Sequence, residues 1–169
     1  FADGSLVAGE WWEYSWFYIG WNMRHPPFDD VRVRMAMSHA FDGDRILEQA
    51  FLGLGKRNSG PMPAIVDSYD DSIAPVPFDL AAAGLLLDEA GWVDGDEDGI
   101  RDKVIDGERK ALEFDLSMYD SSDEYRVLAT IFKEDLAQVG VRMNPRPMEW
   151  GLLLKDIYAR DFDAMTLSW

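Results

Sequence analysis

The spacing of apolar residues along this chain changes several times, and each change marks an element. "YSWFYIGWNM", residues 14–23, is aromatic and β-branched enough to predict a buried strand, and "HPPFDD" behind it stops the run. Over "VRVRMAM" apolar and charged residues alternate as on a strand. Asp29 and Asp30 ahead of that run have the character of a helix N-cap, and "SHAFDGDRILEQAF" continues in helical style. Periodicity leaves both assignments open there. From Gly53 to Phe78, Gly, Pro, Asn, Ser and Asp recur at short intervals, "GPMP" and "APVPFD" among them, which predicts a long surface loop.

Beyond the loop the pattern sharpens. Asp79 caps a helix whose apolar positions Leu80, Ala83, Leu86, Leu87 and Ala90 follow a 3.6-residue period, and Gly91 ends it. Gly84 in its middle costs about 1 kcal/mol relative to Ala. "LEFDLSM", Leu112 to Met118, alternates as a strand. "SSDE" offers a capping box from Ser121 to Glu124, and Tyr125, Leu128, Ala129, Phe132, Leu136 and Val139 draw one helical stripe before Gly140. A short strand is expected at Val141, because Pro145 and Pro147 cannot donate to a ladder and push that end to an edge or out of the sheet. A helix over Trp150 to Ala159 and a last strand in "FDAMTLSW" complete a β-α-β-α-β order. That order predicts an α/β fold with a predominantly parallel sheet, right-handed crossovers and long surface loops. Ligands of such sheets sit beyond the carboxyl ends of the strands. Here those ends are "YDSS" from Tyr119, "MEW" before Gly151, and the chain at Trp169.

Composition adds bounds. Hydrophobic residues make up 47% of 169 positions, with seven Trp, six Tyr and nine Phe, enough to fill the core of one domain. Of Trp11, Trp12, Trp16, Trp21 and Trp150, about a third are expected near a ligand and the rest in the core. Phe1 and Trp169 both read as cut ends, so the chain is expected to be a piece of a longer protein. Thirty-two Asp and Glu against sixteen Lys and Arg give a formal charge of -16, which disfavours nucleic acid and anionic lipid as partners. The absence of Cys removes disulfides, thiol catalysis and Cys-based zinc sites. His25 and His39 stand in no nucleophilic triad pattern, "GLGKRNSG" lacks P-loop spacing, and no carboxylate pair stands out for acid–base work.

One stretch does carry metal-binding character. In "DGDEDGIRD" the carboxylates of Asp94, Asp96 and Asp98 fall at positions 1, 3 and 5 of a calcium loop, Gly99 at the turn, the Ile100 carbonyl at 7 and Asp102 at 9. Position 12, where an EF-hand places its bidentate Glu, is Ile105, and a strand rather than a second helix is expected to follow. The second half of the loop therefore departs from an EF-hand proper. A calcium site of another shape and a solvated acidic turn both stay open, with Asp106 a further ligand in the first case.

At "YIGWNMRHPPFDDVRVRMAMSHAFDGDRILEQAFLGLG" the chain resembles the family 5 extracellular solute-binding proteins, the peptide, nickel and oligosaccharide receptors of bacterial ABC importers. "GPMP", "PFDLAAAGLLLDEAGW", "DGDEDGIRD", "IFKEDLAQVGVRM" and "MEWGLLLKDIYARDFDAMTLSW" keep the family's order from about Tyr18 onward. Gly43, where a charged residue is usual, and Gly84, where Arg or Lys is common, are the departures. The resemblance implies that "VRVRMAM" is helical. It implies a periplasmic-binding-protein-like lobe, with residues 1–169 a single partial domain, the first part of the second of two lobes, and 1–13 a poorly defined lead-in. Ligand contacts would come from Tyr119, Asp120, Ser121 and Trp169. The implied role is non-enzymatic: a peptide or similar small solute held between two lobes and delivered to permease subunits, in a periplasmic, extracellular or lipid-anchored protein. No cofactor is required, and calcium at Asp94, Asp96, Asp98, Ile100 and Asp102 would be a structural brace away from the cleft. The competing reading is a calcium-dependent interaction module centred on residues 94–106.

Overall fold

The computed structural model describes residue 9 and residues 11–169, and most of the expected lead-in over 1–13 lies outside them. Strand β1 (Phe17–Trp21) is followed by α1 (Val31–His39), α2 (Gly43–Phe51) and, after the long loop, α3 (Leu80–Glu89). Then come a hairpin of β2 (Asp102–Ile105) and β3 (Glu108–Ala111), and β4 (Glu113–Tyr119), α4 (Asp123–Ala137), β5 (Arg142–Met148), α5 (Trp150–Ala159) and β6 (Ala164–Ser168).

The ambiguous run is helix α1, and its side chains explain why. Asp30 accepts a hydrogen bond from the Arg32 backbone N–H at 2.8 Å, an N-cap, and Val33, Ala36 and Met37 are buried at helical spacing. The helical pattern behind it is broken once. Asp42 caps a second helix through the Arg45 N–H at 3.0 Å, so the run divides into α1 and α2. Asp79 caps α3 through the Ala82 N–H at 2.9 Å, and Gly91 takes φ +82° just beyond it.

Three expectations are corrected. The cap of α4 is Ser122 rather than Ser121: its Oγ accepts from the Tyr125 N–H at 3.2 Å and donates to Glu124 at 2.9 Å. Strand β5 is not short but seven residues long and runs through both prolines, at the edge of the sheet as expected. The Arg142 N–H donates to Leu112 O at 3.0 Å, so even-numbered residues turn their N–H toward β4, and Pro145 and Pro147 fall at outward positions where no donor is needed. The hairpin β2–β3 adds two strands where one continuous lead into β4 was expected. Asp106 (φ 54°) and Gly107 (φ 83°) form its turn, the two consecutive left-handed residues a type I′ turn requires.

The main sheet has the order β1-β6-β4-β5. β4 pairs in parallel with β5 and β6, and β1 closes the far side antiparallel to β6. One face carries the core. Phe28 packs 4.5 Å from Trp21 and 5.0 Å from Phe114 between ring centroids, Phe17 meets Phe51 and Tyr125, and Phe41 meets Phe132. Phe28, Phe132, Leu116, Leu136 and Met143 are fully buried there, each contributing roughly 1.5–3 kcal/mol by its removal from water. Helix α5 lies on the other face, where Tyr119 and Trp150 meet.

Candidate functional site

β4 and β6 run in parallel with Ser117 opposite Met165, so their carboxyl ends share one end of the sheet. Tyr119 ends β4 and Trp169 follows β6 directly. Side chains alternate along a strand, so the face that carries Ser117 and Met165 also carries Tyr119 and Trp169. Tyr119 and Trp169 therefore reach one end and one face of the sheet, and Asp120 and Ser121 follow at the same end. Trp169 is held in place by the ladder: it and Trp16 exchange both backbone hydrogen bonds, at 2.9 and 3.1 Å, Trp16 one step ahead of the first residue of β1 and Trp169 one step past the last residue of β6. Its ring is 69% exposed.

Around Tyr119 the chain is fixed by local bonds. Its ring stands edge-on to Trp150 in the first turn of α5, with centroids 5.7 Å apart. The Asp120 N–H donates to Met148 O at 3.0 Å, which continues the β4–β5 ladder, and the Asp120 carbonyl accepts from Arg126. Ser121 is exposed and donates to the Asp120 carboxylate at 3.1 Å. Glu149 faces back on α5 as its N-cap, accepting from the Leu152 N–H at 3.1 Å.

A groove of about 1300 Å³ opens from Trp169 and Trp16 past Trp11 and Trp12 to Phe51 of α2 and the loop from Leu54 to Ile65. Of the four expected contact residues only Trp169 lines it; Tyr119, Asp120 and Ser121 lie outside its walls. Four of the five surplus tryptophans, Trp11, Trp12, Trp16 and Trp21, line this groove, and Trp21 also packs against Phe28. The loop wall is pinned by Lys56 to Asp71 at 3.0 Å and by Arg57, which donates to Val76 O at 2.8 Å. Sequence reasoning missed this wall. Its Gly and Pro content reported a loop, and nothing in the spacing reported where the loop would fold back.

The acidic loop stands at the other end of the sheet. Arg101 O accepts from the Leu112 N–H just ahead of β4, which fixes residues 94–101 at the amino end of that strand. Asp94, Asp96 and Asp98 are exposed and each places a carboxylate oxygen within 4.8 Å of the others. Asp94 accepts from the N–H groups of Asp98 and Gly99, and Asp98 from that of Ile100 at 2.8 Å. Gly99 turns the chain at φ +88°. Three hard oxygens so placed fit a hard cation such as calcium. Asp102 stands apart from them: it is buried in β2 and accepts from Arg109 at 2.8 Å and from the Gly95 N–H at 3.1 Å. Its carboxylate ties the loop to the hairpin, while Asp106 is in the hairpin turn.

Residues 7–169 match the family described as bacterial extracellular solute-binding proteins, family 5 Middle. The oligopeptide-binding protein AppA of Bacillus subtilis (strain 168) is 31% identical over 159 residues, covering 92% of this chain and 28% of that protein. Di/tripeptide-binding protein 3 of Pseudomonas aeruginosa (strain UCBPP-PA14) is 29% identical over 152 residues, covering 90% of this chain and 26% of that one. The structure of AppA in complex with a nonapeptide superimposes with a TM-score of 0.85 at 31% identity, over 92% of this chain and 31% of that one. The chain thus spans between a quarter and a third of the length of these relatives.

Proposed function

Because this chain belongs to the bacterial extracellular solute-binding proteins of family 5, we propose that it forms part of the substrate receptor of an ABC importer. In this reading the full-length protein binds a peptide between two lobes and hands it to permease subunits, and residues 1–169 are the first part of the second lobe. Binding and release are the function, and no bond of the ligand is broken. The observation that carries the reading is the aromatic groove that runs along β1 to the carboxyl end of β6, bounded by Trp169, Trp16, Trp12 and Phe51. Flat, amphipathic rings present large apolar contact area to the side chains of a peptide at low cost in conformational entropy. Tyr119 and Trp150 meet at the carboxyl end of β4, outside the groove. AppA, by its description, binds oligopeptides, and that too supports a peptide as ligand.

The receptor works outside the cytoplasmic membrane, periplasmic or held to its outer surface by a lipid. Among the described residues no helix is long and apolar enough to cross a membrane. Calcium at Asp94, Asp96 and Asp98 braces the loop between α3 and β2, at the end of the sheet away from the groove.

Isothermal titration of the full-length protein with a panel of di-, tri- and longer peptides tests the assignment. Saturable binding of intact peptide is expected. Peptide hydrolysis, or no binding across the panel, would overturn it.

A further inference from the structure

A carboxylate sits in the packed contact between α2 and α4. Asp135 is 2% exposed, among the apolar residues that α4 turns inward. Its Oδ2 has no hydrogen-bond partner, and its Oδ1 lies 3.5 Å from Nη1 of Arg45 on α2. That guanidinium is shared, because its Nη2 donates to the exposed Glu134 at 2.9 Å. Asp42, which caps α2, brings a third carboxylate to the same place and spends its own Oδ1 on the Arg45 N–H. The charged groups facing Asp135 are therefore Asp42 and Arg45 from the α2 side and Glu134 on α4, three acids in all around one cation.

We infer that Asp135 is a proton-binding site built into the α2–α4 contact, where proton uptake seats α2 against α4 and proton loss loosens it. Burial disfavours the ionised form, Arg45 and a hydrogen bond from the Asp42 backbone N–H oppose this, and the Asp42 and Glu134 carboxylates add to the burial effect; the result holds the Asp135 carboxyl above the usual carboxylate range. The folded state thus holds this proton more tightly than the unfolded chain does. Its stabilising effect is complete below the unfolded-state pKa of an aspartate and is lost as pH rises through the higher folded-state value. Ile46, Leu47 and Phe51 of α2 line the aromatic groove, so the element that loosens is also a groove wall.

Amide hydrogen exchange of the full-length protein, corrected for the intrinsic effect of pH and followed for peptides covering residues 43–51, tests the site. Between about pH 8 and about pH 3, the lower limit lying below the unfolded-state aspartate pKa of about 3.9, protection of α2 relative to β4 should rise as Asp135 takes up its proton. Asp135→Asn, which is neutral at every pH, should abolish that rise and hold α2 protected throughout. Glu134→Gln frees Arg45 for Asp135 and should move the transition to lower pH, a shift that does not depend on the first variant folding. Identical pH profiles in the wild type and Asp135→Asn, or a Glu134→Gln transition that stays where it was, would overturn the inference.

Discussion

The rings of Tyr119 and Trp150 meet edge to face, 5.7 Å between centroids and 72° between planes. One residue ends a strand and the other begins the helix on that face of the sheet, so the contact sets the direction of both rings where β4 and β6 finish. In the full-length receptor, Tyr119→Ala or Trp169→Ala is expected to weaken peptide binding at least about tenfold, ~1.4 kcal/mol. Asp96→Asn should leave the affinity nearly alone. Calorimetric titration distinguishes these cases, and wild-type affinity in both aromatic variants would remove the site from this end of the sheet.

Asp94, Asp96 and Asp98 repel one another, with Arg109 at 3.7 Å offsetting Asp96 in part, and a cation that binds only the folded state raises stability by mass action. Millimolar calcium should raise the midpoint of thermal unfolding relative to chelator. Asp96→Asn with Asp98→Asn should abolish the difference. An unchanged midpoint in the wild type would reduce the loop to an acidic turn.

Phe28 is fully buried between Trp21 and Phe114. Truncation to Ala removes both aromatic contacts and leaves a cavity, and the expected loss is about 3–5 kcal/mol. Urea unfolding monitored by tryptophan fluorescence measures it. A loss below 1.5 kcal/mol, on the order of a volume-conserving core change, would mean that the neighbouring rings close the gap.

Asn22 is 5% exposed and donates through Nδ2 to Phe162 O at 2.8 Å and Arg160 O at 3.2 Å. One side chain thus ties the end of β1 to the turn between α5 and β6. Asn22→Ala should cost about 1 kcal/mol by removing both bonds, with faster amide exchange confined to residues 160–164. Uniform exchange across the domain would contradict this local role.

Much of the fold could be read where one period persisted long enough. Helix α4 shows its stripe from Tyr125 to Leu136, and α5 runs from Trp150 to Ala159 as its pattern predicts. The β2–β3 hairpin could not be read this way, since Glu108 to Ala111 is exposed throughout and has no buried face to set a period. Its one local signal was Asp106-Gly107. The end of the sheet that gathers Tyr119 and Trp169 follows from strand order alone, because parallel strands share their carboxyl ends. The groove does not follow from it, because Trp16, Phe51 and Pro61 are brought together by the path of a loop that has no period. Asp135 occupies an inward position on a helix read by its apolar stripe, and a pattern of apolar residues passes over an acid among them.

Pro145 and Pro147 have one more consequence. They take outward N–H positions of β5, so that side of the sheet offers an incoming chain little to bond with and resists aggregation through exposed strand edges. β1 carries no proline between Phe17 and Trp21 and, among the described residues, pairs only with β6. The sheet is thus polarised for assembly: any additional strand, from elsewhere in a longer chain or from a second molecule, has its open docking edge at β1.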